Sequence, residues 1–292
     1  MKSGLKKEFM YLSRTKRLLG VILTFFIVAL SVPFMMKIAQ PLIELADLTD
    51  SKTGMSDGLA EQSGLGITVN IGGNSYEDMT LIEALRLFKN SSVVAAMGTN
   101  DIAGTAVLVI MFIFMAPCGS ERKKRSVIIP RCAGLSAKLY ASPKFVLYPA
   151  LVFACAFCGV LLTAGVSVAF FGGEIAIGNL LLAALSVAVY DAFVIVLQLT
   201  IGVCTGRPGI GVICTLIAVS FIPQVLQAMR VDRFNPFALP SAAVSVLAGE
   251  PEMLNNWVSL GVTAVLGAIL YFTTLFALSA TETDNSGGEP VL

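Results

Sequence analysis

The chain has 292 residues, 56% of them hydrophobic and 13% charged, with 20 Lys and Arg against 19 Asp and Glu and no histidine. At a mean hydropathy of +0.82 there is too little polar surface to coat a water-soluble particle, so a soluble fold is excluded. The charge balance argues against nucleic-acid binding, since every cation cluster lies beside an apolar run, and the missing histidines remove the commonest general base and zinc ligand.

Residues 1–17 carry Lys2, Lys6, Lys7, Arg14, Lys16 and Arg17 against Glu8 alone, with Leu5, Phe9 and Leu12 at helical spacing. This predicts a cationic amphipathic helix at the membrane interface. The apolar run from Leu18 to Met36 is too long for a signal-peptide core and no small-x-small cleavage site ends it, so it reads as a first span. At roughly 20 residues per crossing, five more spans follow: Val93 to Ala116, Phe145 to Phe170, Ile175 to Val203, Ile210 to Ala228 and Trp257 to Ala280. The expected fold is thus an all-α polytopic membrane protein, with a six-span domain over 18–280 and a polar, disordered tail at 281–292.

Orientation follows from loop charge. The cationic N-terminus places itself in the cytoplasm, and an even span count brings the C-terminus to the same side. The loop at 37–92 is then outside, and its eight acids against four bases agree. The loop at 117–144 is inside, and six Lys and Arg fall between Gly119 and Lys138 with only Glu121 opposing them. In the outer loop, Met79, Ile82, Leu85, Leu87 and Phe88 predict an amphipathic helix across YEDMTLIEALRLF. Residues 229–256 hold Pro236, Pro240 and Pro251; they are too broken to cross and too apolar for a free loop, which predicts short re-entrant helices in the outer leaflet.

Catalytic and metal motifs are missing. No GxxxxGK[ST], GxSxG or HExxH occurs, and GRPGIG lacks the lysine a phosphate loop needs. None of the six cysteines falls in the outer loop, so no disulfide framework is expected. Cys155 and Cys158 form a C-x-x-C inside an apolar helix, where free cysteine acts as a small hydrophobe. The chain therefore reads as non-catalytic, with no cofactor and no metal of its own. Intramembrane carboxyls remain the functional candidates. Asp101 sits near the outer end of span two in the polar run GTNDIAGT beside Asn100, and Asp191 lies deep in span four, on a helix shared with Gln198. Each either lines a wet cavity or fixes helix packing. Gln224 and Gln227 add polarity to the outer part of span five.

Six spans, a basic amphipathic helix before the first, a charged loop between the second and third, and re-entrant helices before the last resemble the membrane subunit of a type 2 ABC exporter. The local resemblance lies in Glu121-Arg122-Lys123-Lys124, Ser126 to Ile129, Pro143-Lys144-Phe145 and Phe234 to Phe237 (FNPF); Arg125-Ser126 stands where the family has Gly-Thr. The resemblance implies a coupling helix within Ser120 to Lys138, with Glu121, Arg122, Lys123, Lys124, Val127, Ile128, Ile129 and Lys144 meeting a separate ATP-binding subunit that holds ATP and magnesium. It also implies a second permease chain, a bacterial plasma-membrane location with both termini cytoplasmic, and a path lined by spans two and five, for which Asn100, Asp101, Asp191, Gln224 and Gln227 are candidates. The weakly polar membrane region leans towards a lipid, drug or peptide-like substrate. Two other readings stay open: an ion-coupled secondary transporter using Asp191 or Asp101, and a non-transporting immunity or scaffold protein.

Overall fold

The computed structural model describes residues 2–53, 67–71, 74–79, 89–115, 137–229, 234–249 and 253–284. Helix α1 (Lys2–Arg14) leads into α2 (Arg17–Thr53), the first span. A hairpin of β1 (Ile67–Ile71) and β2 (Asn74–Met79) follows. Span two is α3 (Ser91–Asp101), a π turn (Ile102–Ala106) and α4 (Val107–Ile113). Spans three, four and five are α5 (Ala137–Phe171), α6 (Ile177–Thr205) and α7 (Pro208–Ala228). A 3-10 turn (Pro236–Ala238) and α8 (Leu239–Ala248) precede α9 (Met253–Asp284), the sixth span. All six spans are helices long and apolar enough to cross a bilayer, so the chain is an all-α polytopic membrane protein.

Several helices outrun the expected spans. Apolar length measures the hydrocarbon, whereas a helix continues for as long as its residues favour it. α2 passes Pro33 and Pro41 and reaches Thr53, so the first part of the expected outer loop is helical. α9 likewise runs to Asp284, into the expected tail. The largest difference lies in the outer loop, where the start of the expected amphipathic helix is strand β2. Val69 pairs with Tyr76 and Ile71 with Asn74, and Gly72-Gly73 between them is a hairpin signal that the helical reading passed over. The rest of that stretch, 80–88, lies outside the described residues, as does the loop at 117–136.

Local chemistry explains the tight joints. The Asn90 side chain caps α3 by accepting from the Ser92 amide at 3.1 Å. α6 ends at Gly206, whose φ of 64° suits glycine, and Pro208 then opens α7 without needing an amide partner. The α1–α2 elbow is different, because there the left-handed residue is Lys16, with φ 58°. For a residue with a Cβ this costs about 1 kcal/mol.

Bonded pairs fix the relative directions of the spans. The Thr163 hydroxyl lies 2.9 Å from Ala29 O, and Lys37 Nζ donates to Phe170 O at 3.3 Å, so spans one and three run together. Gln198 bonds Met111, Ser186 lies by Asn256 and Thr200 by Thr274, so spans two, four and six run together. The first and last helices therefore end at one face, called the α1 end below. Span four is the hub, packed on spans three, five and six and on α8, and α8 also packs on the first half of span two.

Lipid tails are as apolar as leucine, so packing inside the bilayer rests on close fit and interhelical hydrogen bonds. At Gly211 on span five, a Cβ would stand 3.0 Å from Gly202 Cα and 3.2 Å from Gln198 O on span four, both backbone atoms that cannot turn aside. At Gly104 nothing lies within 4 Å. Gly211→Ala is therefore expected to cost about 1–3 kcal/mol and Gly104→Ala to cost nothing. Thermal denaturation of the two variants in detergent checks this, and equal melting points would refute the close contact.

Candidate functional site: polar groups inside the bundle

Span four carries Ser186, Asp191, Gln198 and Thr200, all buried, within a mostly apolar helix. Most have an evident structural use. The Thr274 hydroxyl donates to Thr200 Oγ1 at 3.1 Å, and the Ser186 hydroxyl lies 3.2 Å from Asn256 Oδ1, tying span four to span six at two depths. Gln198 Nε2 donates to Met111 O at 2.7 Å. That carbonyl belongs to the last turn of α4, where the Met115 amide bonds Phe112 O instead. Gln198 thus caps a helix C-terminus from a neighbouring span.

Asp191 differs. It is fully buried, and neither carboxyl oxygen has a hydrogen-bond partner among the described residues. Gln198 Oε1 and Asn256 Nδ2 are unpartnered in the same sense. A buried polar group without a partner costs about 1–3 kcal/mol, more if charged. Asp191 stands 14 residues from each end of α6, about 21 Å at the helical rise, and so lies at the middle of the bundle.

Its surroundings follow from register. Asp191 precedes Gln198 by seven residues, two turns, and so shares its face. Span two runs parallel, and seven residues before Met111 stands Gly104, within the π turn Ile102–Ala106. The buried carboxyl is therefore level with the one irregular turn described in span two. Single π turns inside α-helices occur frequently at functional sites. The 3-10 turn at Pro236–Ala238 comes to nearly the same depth, since Phe237 meets Phe193 edge-on at 5.8 Å. Asn235, itself buried, caps that turn by accepting from the Phe237 amide at 2.9 Å.

The other path candidates lie elsewhere. Asp101 immediately precedes the π turn, ten residues into a helix that starts at Ser91, which is mid-span rather than near the interface. It is half-buried, while Asn100, Gly104 and Thr105 are exposed on the outside of the bundle. Gln224 is exposed on the far half of span five, and the side chain of Gln227 lies outside the described residues. One chain therefore does not gather these five residues; Asp191 is inside, and Asn100, Asp101 and Gln224 face outward.

Of the expected coupling residues, Glu121, Arg122, Lys123, Lys124, Val127, Ile128 and Ile129 lie outside the described residues. Lys144 is described and turned inward, 6% exposed. Its ammonium lies 3.9 Å from Glu8 Oε1 on α1, and the Tyr148 hydroxyl donates to Glu8 Oε2 at 3.0 Å. Tyr148 stacks on Phe114 with ring centroids 4.9 Å apart, joining the end of span two to the same knot. Sequence reasoning assigned Glu8 no role. Its signal was available: a single acid in a cationic helix, four residues before Leu12 on the face that packs inward.

No family model, curated protein or solved structure matches this chain in comparison.

Proposed function

We propose that this chain is the transmembrane permease subunit of an ATP-driven exporter of the type 2 ABC class, paired with a second permease chain and with separate ATP-binding subunits in a bacterial plasma membrane, both termini cytoplasmic. The observation that carries this reading is the incompleteness of a single chain. Asn100, Asp101 and Thr105 form a polar strip with Gly104 at mid-span on the outside of the bundle, and span five, like span six, is mostly exposed along its length. Polar groups at that depth face protein or water rather than lipid. Spans two and five are also the pair to which the family resemblance assigns the path, so a second copy that covers them would enclose a polar passage. A lipid, drug or peptide-like substrate fits such a passage, with its few charged groups.

In this reading ATP closes the partner subunits and pushes the 117–144 loops, and the spans alternate between two arrangements. Ile128→Asp should abolish substrate-stimulated ATPase activity of the assembled complex while leaving membrane insertion intact, and unchanged stimulation would remove Ile128 from the contact. Affinity purification from native membranes in mild detergent tests the class itself. Copurification of a phosphate-loop ATPase in near-equal amount is the expected result, and a clean negative at good yield would overturn it.

Asp191 favours a second reading, an ion-coupled transporter, because a fully buried carboxyl without a partner among the described residues carries a cost that packing alone does not explain. Transport by proteoliposomes containing only this chain and an ion gradient would establish that reading and displace the first.

A further inference from the structure

Glu8 is the only acid in the first 43 residues, and the fold removes it from the surface. It is 6% exposed, held by Lys144 and Tyr148 of span three. Leu12, one turn on, is fully buried. Their side of α1 is thereby spent on docking, and the opposite side can be assigned without ambiguity. Lys6, Met10 and Arg14 recur at every fourth residue along its centre, all exposed, with Phe9 (50% exposed) and Tyr11 (38%) on its flanks. This outward face is cationic and apolar at once and carries no acid.

Two further features give the face its setting. Span one, joined to α1 by the elbow, opens with the exposed apolar residues Leu19, Ile22, Leu23 and Phe26, so α1 adjoins surface that lipid covers. At the elbow between them stands Lys16, exposed and in a left-handed conformation that glycine or asparagine would hold at less strain. Arg17 lies over the Tyr11 ring at 5.5 Å, which pins a second cation beside it. A cation kept at a strained corner points to a use for its charge rather than for its backbone.

We infer that the outward face of α1 binds anionic phospholipid headgroups, with Lys6, Arg14 and Lys16 meeting the phosphates and Phe9 entering the acyl boundary. The Glu8–Lys144 contact is what makes the face selective, because it turns the one repelling carboxylate inward and holds the helix on the bundle. This inference does not depend on the exporter reading, as it concerns the bilayer and not the cargo.

The test uses the full chain with Trp257→Phe, which removes its only tryptophan, and Phe9→Trp as reporter. It is reconstituted in vesicles of phosphatidylcholine containing either brominated phosphatidylglycerol or brominated phosphatidylcholine at equal fraction. Phosphatidylglycerol should quench the reporter with a relative affinity roughly five- to tenfold above phosphatidylcholine, and the preference should shrink at about 0.5 M salt. Lys6→Gln, Arg14→Gln and Lys16→Gln together should bring the ratio to one, whereas Lys6→Arg with Lys16→Arg should keep it. Lys16→Gly alone should lower the ratio without lowering the melting point, which separates lipid binding from folding. Equal quenching by the two lipids in the reporter protein would overturn the inference, and so would quenching by neither, which would place α1 against protein instead.

Discussion

Glu8→Gln should destabilise the protein by about 3 kcal/mol, because it removes a carboxylate that faces the buried Lys144 ammonium. The two side chains are each 8% exposed, so water cannot take over the lost interaction as it does for a surface pair. The amide can still accept from Tyr148, so the loss reports charge rather than shape. Lys144→Met on its own should cost less than Glu8→Gln, since Glu8 keeps the Tyr148 hydroxyl. Glu8→Gln combined with Lys144→Met should recover most of the stability, because the pair then carries no buried charge and the amide still accepts from Tyr148. SDS or thermal denaturation of the four proteins closes the cycle. A coupling energy near zero would show that α1 is not anchored through this contact.

Asp191→Leu should do the reverse, raising stability by about 1–3 kcal/mol while abolishing transport. The leucine removes two buried oxygens that have no partner among the described residues and fills nearly the same volume in a fully buried position. A group that weakens the fold where it stands is retained for what it does, and relief of that burden is expected to come with loss of activity. Melting temperature and ATPase-coupled or gradient-driven transport, measured on one preparation, give the two readouts. If the variant is more stable and fully active, Asp191 has no function. If it is less stable, the carboxyl has a packing role through a group beyond the described residues.

Gly211→Ala and Ile128→Asp, with smaller or more local effects, probe the hub of the bundle and the proposed ATPase contact separately. Together with the cycle on Glu8 they divide the chain into anchor, core and coupling segment.

Six spans were legible from the sequence because each is a long run that water rejects, and no tertiary detail alters that. The depth of Asp191 was legible for the same reason, as was the apolar segment at Pro236–Ala248, which is too short to cross. Helix ends were not, because α2 and α9 continue through residues that favour helix outside the hydrocarbon. The strand at Asn74–Met79 was missed because its residues also fit a helical stripe, and only pairing with Ile67–Ile71 separates the two.

What the sequence determined by itself was the solvent, the number of crossings and which carboxyls are unusual. These depend on transfer energies, and those are properties of local composition. The tertiary structure alone decided that Glu8 faces Lys144, that Gln198 caps α4, that Asp191 stands level with the π turn, and that Asn100 and Asp101 turn away from it. Each is a contact or a facing between residues distant in the chain, set by how parallel helices come into register, and neither hydropathy nor periodicity contains that register.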